Sequence, residues 1–412
     1  MKKILIIISL ITTVQINVVQ AQDEGYIYGR VTTIDGNEYL GHFRWGGEET
    51  FWTDIYNASK LDTKVFGHLI GQKKGTIENS GWMGVDWSLS SIWEDKHSYS
   101  YSKHEFSCQF GNIVSIKYRG ENRLYLTLKN GAVIEVGGGG YNDVRASVTI
   151  YDEEIGKIKV RGSRIDQVDF MQGPKKMQET GGRPIYGSVI TWDNDSIVGH
   201  IEWDHDEKLD AEILDGESGS QDLKIPFKKI ARIEPGRGRS LVVLESGREF
   251  MMYGTNDVNE ENNGIIVTVD GLGHIDIPWS NVEKVNFIKG RKSSGPSYDD
   301  FKKPKGLSGT VELITGEKYN GLFAFDMDEV WEFEMLNAES HNLEFDIPFV
   351  NIRSIRPKNY NYSWVELKSG DKFLLGDTND VSDNNGGVLM FPSKNEDPIK
   401  IRWTKIDHII FD

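Results

Sequence analysis

Ser308-Gly309-Thr310-Val311-Glu312-Leu313-Ile314-Thr315-Gly316-Glu317-Lys318-Tyr319-Asn320-Gly321-Leu322-Phe323-Ala324-Phe325 is the stretch that decides the fold. Two alternating, β-rich runs flank Thr315-Gly316, where glycine supplies the positive φ of a tight hairpin turn. The plan recurs twice upstream. Tyr28-Gly29-Arg30-Val31 and Tyr186-Gly187-Ser188-Val189 match the first run, and Tyr39-Leu40-Gly41-His42-Phe43-Arg44-Trp45 and Ile197-Val198-Gly199-His200-Ile201-Glu202-Trp203 match the second. Further along, Asn142-Asp143-Val144, Asn256-Asp257-Val258 and Asn379-Asp380-Val381 correspond. Self-similarity of this kind marks tandem units, here three of about 120 residues.

A second symmetry lies inside each copy. Cys108/Phe110/Ile113/Ile116, Val160/Gly162/Ile165/Val168, Ile225/Phe227/Ile230/Ile233, Ile277/Trp279/Val282/Val285, Ile347/Phe349/Ile352/Ile355 and Ile401/Trp403/Ile406/Ile409 share offsets of two, three and three. An offset of two is strand alternation, and two offsets of three fit one 3₁₀ turn that leads back into a strand. Asp35-Gly36, Asn130-Gly131, Ser246-Gly247, Thr315-Gly316, Ser369-Gly370 and, with Asn in place of Gly, Asp193-Asn194-Asp195 open the six half-units as hairpins. Helix signals are few. The expected fold is all-β: three tandem repeats, each a pair of small five-stranded barrels.

At this level the half-units resemble the Sm-like branch of SH3-like barrels. Val311 to Asp326 is similar to the first Sm motif, a Gly-turn hairpin ending near an Asp, and Val160-Arg161-Gly162 looks like the Arg-Gly of the second. In that family an Asp, an Asn and the Arg-Gly line an RNA site. Here the Asn after Asp326 is missing and the Arg-Gly lies in a different unit. The resemblance therefore implies the barrel and not the RNA function.

Residues 1–21 run from Lys2-Lys3 through an apolar stretch to Val19-Gln20-Ala21, the pattern of a secretory signal peptide, with the mature chain expected to begin at Gln22. Repeat 1 then spans 22–171 with an insertion near 62–105, repeat 2 spans 185–288 and repeat 3 spans 307–412. Segments 172–184 and 289–306, rich in Lys, Gly and Pro, read as linkers. The expected address is periplasmic or secreted, without membrane insertion once the signal is cleaved. A net charge of −16, made more negative by loss of Lys2 and Lys3, leaves little to neutralise phosphates and argues against nucleic acid as a partner. The single Cys108, in a position held elsewhere by Ile or Val, reads as a small core hydrophobe and forbids a disulfide framework.

Two groups of residues are candidates for function. The insertion carries Trp82, Trp87, Trp93, Tyr99 and Tyr101 among glycines and serines, with Trp52 just before it; rigid rings in a loop-like segment are the composition of a recognition surface. The repeated loops Asn142-Asp143, Asn256-Asp257 and Asn379-Asp380 offer oxygen donors, which suits either a loop cap, with Asp accepting backbone N–H groups, or weak calcium binding. The run Gly137 to Gly140 lacks the Lys-Ser/Thr of a phosphate loop, and neither Gly-x-Ser-x-Gly nor His-Glu-x-x-His occurs. No cofactor is implied.

These readings favour an exported, non-catalytic binding or scaffolding protein of the bacterial envelope that contacts a partner protein or a glycan through the repeat 1 insertion. The alternatives are a carbohydrate-active hydrolase using acids such as Glu48, Glu49, Asp54, Asp86 and Glu94, and a structural subunit of an envelope assembly.

Overall fold

In a computed structural model the chain is all-β; the structure describes residues 23–61, 105–120, 122–138, 143–177, 181–290, 294–391 and 398–412. Among the described residues the strands pair antiparallel in one sheet of ten, one of 18 and one of two. Every helical piece among the described residues is a three-residue 3₁₀ turn. Six of these are Phe110–Asn112, Gly162–Arg164, Phe227–Lys229, Trp279–Asn281, Phe349–Asn351 and Trp403–Lys405, each running directly into a strand. Five open on a buried ring that anchors the turn to the core. The hairpin turns carry the left-handed backbone their composition demands: Gly36, Gly131, Gly247, Gly316 and Gly370 have φ of 82°, 84°, 80°, 86° and 100°, and Asn194 has 66°.

Glycines also mark where strands crowd. Gly29 pairs with Gly41, Gly187 with Gly199 and Gly309 with Gly321. A Cβ on Gly29, Gly187 or Gly309 would lie 2.1, 2.3 or 2.0 Å from a carbonyl oxygen of the strand on the other side, so only glycine permits that approach.

Two large apolar clusters form the interior. One draws on residues from Ile185 to Phe411. The strands Gly273–Ile277 and Leu343–Pro348 pair across it and make the 18-stranded sheet continuous. The other cluster is built on Ile27 to Phe170 but also takes in Tyr298, Ala324, Met327, Val330, Trp331, Phe333 and Leu389. The segment 294–306, which by composition reads as a spacer, is packed against this second cluster. The Tyr298 ring lies 4.7 Å from that of Trp52, and its hydroxyl donates to the Ile113 carbonyl. Lys129 Nζ rests 3.5 Å from the centre of the same ring, and Asn130 Nδ2 donates to the Pro304 carbonyl. Its basic residues thus border a docked aromatic strap whose burial outweighs the loop-forming bias of Gly, Ser and Pro.

Candidate functional site

The aromatic insertion is rooted in a hairpin. Ile55–Lys60 pairs with Glu105–Gln109, from Ile55 opposite Gln109 to Ser59 opposite Glu105. Two other hairpins have the same form: Ile213–Ser218 with Gln221–Pro226, ending at Ser218 opposite Gln221, and Met335–Ser340 with Leu343–Pro348, ending at Ser340 opposite Leu343. In those two a two-residue turn, Gly219-Ser220 or His341-Asn342, closes the tip. In the first hairpin the same register puts Lys60 at Ser218 and residue 104 at Gln221, so residues 61–103 stand in the turn's place. Trp82, Trp87, Trp93, Tyr99 and Tyr101 lie outside the described residues, and so does Asn142.

Trp52 is corrected. Its side chain is fully buried against Phe170 and Tyr298, and Nε1 donates to the Glu24 carbonyl at 3.0 Å. It is a core ring of the second cluster, not part of an exposed binding surface.

The repeated Asp residues do one job three times. Asp143 Oδ2 accepts from the backbone N–H of Asn57 at 2.8 Å, Asp257 Oδ2 from that of Asp215 at 2.6 Å and Asp380 Oδ2 from that of Asn337 at 2.7 Å. Each ties its 3₁₀ turn or loop to the strand across from it. Asn256 donates its amide to Asp204, and the backbone carbonyl of Asn379 accepts from Ser382 N.

Facing these caps are three glutamates whose backbone carbonyls accept from Trp45, Trp203 and Phe325, namely Glu49, Glu207 and Glu329. The Oε2 of each is buried without a hydrogen-bond partner among the described residues. Burial, reinforced by the charge of Asp143 or Asp257, pushes the Glu49 and Glu207 carboxyls up to about 9, and burial with Asp328 holds Glu329 well above the carboxylate range. Among the described residues no group of three or more His, Cys, Asp or Glu is placed to hold a metal ion. In the loop Asp204-His205-Asp206-Glu207, Asp204 is buried and its Oδ1 accepts from Asn263 N, while Asp206 is exposed.

Ion pairs join distant parts of the chain. Lys208 Nζ lies 3.1 Å from Asp54 Oδ2 and 3.1 Å from Glu202 Oε2, with its side chain 7% exposed. Burial opposes its charge, but Asp54 and Glu202 override that and raise its pKa. Arg44 pairs with Glu212, and Lys60 pairs with Glu334 at 2.5 Å while donating to the Asp328 carbonyl. The three acids are also turn caps: Asp54 accepts from Thr50 N and Phe51 N, Glu212 from Lys208 N and Leu209 N, and Glu334 from Val330 N and Trp331 N. Asp54, one of the acids open to a hydrolase, is thus spent on architecture. His274 Nε2 meets the Thr53 carbonyl at 3.1 Å beside this junction, and burial lowers its pKa to about 4. Cys108 is fully buried and its thiol is pushed up by desolvation, which keeps it unreactive.

The described surface also holds a pocket of about 370 Å³ where the chain enters and leaves the strands from Tyr186 to Phe287. Phe227 and Phe287 form its buried floor, with Tyr186 beside them, and Arg183, Lys228 and Lys289 its rim. Sequence reasoning missed it; the signal available was the basic character of segments 172–184 and 289–306, which supply Arg183 and Lys289. No family model, curated protein or solved structure matches this chain.

Proposed function

We propose that the chain is an exported, non-catalytic binding or scaffolding protein of the bacterial envelope, in which residues 61–103 are the recognition element for a partner protein or glycan. The observation that carries this reading is the hairpin register. The strand pair from Ile55–Gln109 to Ser59–Glu105 matches two others that close with two residues, so the insertion occupies the position of a hairpin turn. Its root is held by the Lys60–Glu334 ion pair and by the Asp143 cap on Asn57. Placing an aromatic-rich segment on a rigid base limits the entropy lost on binding. In the same reading, the chain is three tandem repeats, each a pair of small SH3-like barrels. The recurring glycine pairs, Asp caps and 3₁₀ turns support it.

The test replaces 61–103 with Gly-Ser, the turn at 219–220, in the chain from Gln22 onward, so that residues 60 and 104 flank a two-residue turn as Ser218 and Gln221 do. Circular dichroism and gel filtration establish that both proteins fold. Affinity capture from envelope extracts and a glycan array are then compared. Capture by the full chain and its loss on replacement is the expected result; identical capture by both proteins, or capture by neither, overturns the assignment.

A further inference from the structure

The pocket at Arg183, Lys228 and Lys289 has a filled counterpart elsewhere in the same molecule. The backbone bond from Lys228 N to the Asp210 carbonyl (2.7 Å) has the same form as that from Gly111 N to the Trp52 carbonyl (3.0 Å). Asp210 N in turn donates to Arg183 O, as Trp52 N donates to Gly25 O. Ile288 N donates to Tyr186 O, as Met171 N donates to Tyr28 O. These bonds superpose Lys228 on Gly111, Asp210 on Trp52, Arg183 on Gly25 and, one residue beyond Ile288 and Met171, Lys289 on Gln172.

At the Gly111 position the space is occupied by the chain itself. Ser297-Tyr298-Asp299-Asp300-Phe301 forms a 3₁₀ turn held by a reciprocal cap between Ser297 and Asp300. Tyr298 packs at a tilt against Trp52 and Phe301 lies over Gly111, where a Cβ would come within 2.4 Å of the ring. Asp299 N donates to Gln172 Oε1 at 3.0 Å. At the Lys228 position no described segment plays this part, and the smaller Asp210 in place of Trp52 leaves the 370 Å³ opening. Three of the four positions become cationic, Gly25, Gly111 and Gln172 being replaced by Arg183, Lys228 and Lys289, while the Asp210 carboxylate is turned onto the backbone and accepts from Arg183 N at 2.9 Å.

We infer that this pocket is a docking site for a peptide segment of a partner protein in which an aromatic side chain is flanked by carboxylates, seated as Ser297–Phe301 is seated on the other side of the molecule. The ring enters over Phe227 and Phe287, and the carboxylates face the three cations. Lys228 is exposed and available. Lys289 is held in place by donating to the Phe227 carbonyl at 2.8 Å, and the acids near it are Glu245 at 3.9 Å and Asp210, whose carboxylate already accepts from Arg183 N, so an incoming carboxylate competes with one long ion pair and a more distant charge. Arg183 is fixed by the buried Asp23, which keeps the rim preorganised. In a chain of net charge −16, a local basic rim selects for its ligand instead of attracting anions everywhere.

The probe is the labelled, end-blocked peptide Ser-Tyr-Asp-Asp-Phe, titrated into the protein from Gln22 onward and followed by fluorescence anisotropy. The controls are its Tyr-Asn-Asn-Phe counterpart and a polyphosphate competitor. Saturable one-to-one binding is expected, weakened about tenfold or more by the Asn counterpart, by Lys228→Glu and by Lys289→Glu, and progressively by salt. Both substituted side chains lie on the surface, so folding is retained and checked by circular dichroism. Absence of saturable binding, binding indifferent to both substitutions, or displacement by polyphosphate as effective as by peptide overturns the inference. The protein with 61–103 replaced by Gly-Ser must bind the peptide equally, which keeps this site separate from the proposed role of the insertion.

Discussion

Lys208→Met tests whether the buried ion triad joins the first part of the chain to the second. The side chain of Lys208 is 7% exposed, those of Asp54 and Glu202 are 7% and 14% exposed, and both carboxylates lie 3.1 Å from Nζ. Methionine fills much the same volume, so the loss is electrostatic. Asp54 retains two backbone N–H donors from Thr50 and Phe51, and the burden falls on Glu202, which burial already pushes above its ordinary value of 4.5. A buried carboxylate without its partner takes up a proton, and that sets a ceiling on the cost. At pH 7 protonating a group of intrinsic pKa 4.5 takes about 3.4 kcal/mol, and at pH 5 about 0.7 kcal/mol. The expected destabilisation is therefore about 3 kcal/mol at pH 7, in the range for breaking a buried pair, and under about 1 kcal/mol at pH 5. Urea unfolding of both proteins at the two pH values measures it. A loss under about 1 kcal/mol at pH 7, or the same loss at both, would refute the reasoning.

Burial lowers His42 and His274 to about 4, against 6.5 in the unfolded chain. The unfolded state then binds more protons between those values, and stability falls with acidification from pH 6.5 toward 4, by up to about 3 kcal/mol for each ring. Imidazole Cε1 chemical shifts read by NMR give the two midpoints, and values near 6.5 would contradict the burial argument. Glu207 works with the opposite sign: with a folded pKa of about 9, its contribution is intact below 4.5 and is lost as pH rises toward 9. Glu207→Gln should gain about 1–2 kcal/mol over the parent at pH 8 and nothing at pH 4, after allowance for its partial exposure. Gly111→Ala drives a Cβ into the Phe301 ring and should cost about 1–3 kcal/mol while making 294–302 more sensitive to limited proteolysis. Unchanged cleavage there would argue against the docked strap.

Local chemistry is what the sequence makes legible. The turn glycines at 36, 131, 247, 316 and 370 and the 3₁₀ turns at Phe110, Phe227, Phe349 and their fellows follow from spacing of two and three residues and from the φ that only Gly or Asn adopts easily. The Asp143, Asp257 and Asp380 caps are half legible: residue type and turn position announce an acceptor for backbone N–H groups, but the donors, Asn57, Asp215 and Asn337, lie 86, 42 and 43 residues away. Trp52 departs from its sequence reading because adjacency to a loop-like insertion says nothing about what lies across the fold, and its partner Tyr298 is far along the chain. The Lys208 and Lys60 pairs and the basic pocket are hidden for the same reason. Each is assembled from segments whose spacing follows no period, and composition near Arg183 and Lys289 only hints that cations gather there.

The strap at 294–302 sets an order of events for a chain made from its N-terminus. The ten described strands from Tyr28 to Phe170 can pair among themselves once residue 170 has emerged, yet the face presented by Trp52, Gly111 and the Ile113 carbonyl stays open until Tyr298 arrives. A fragment ending at 171 is therefore expected to expose an aromatic gap and to associate or be degraded, whereas one ending just after Phe301 carries its own plug. Export in the unfolded state, which the proposed function entails, gives the whole strap time to arrive before the gap can find another occupant.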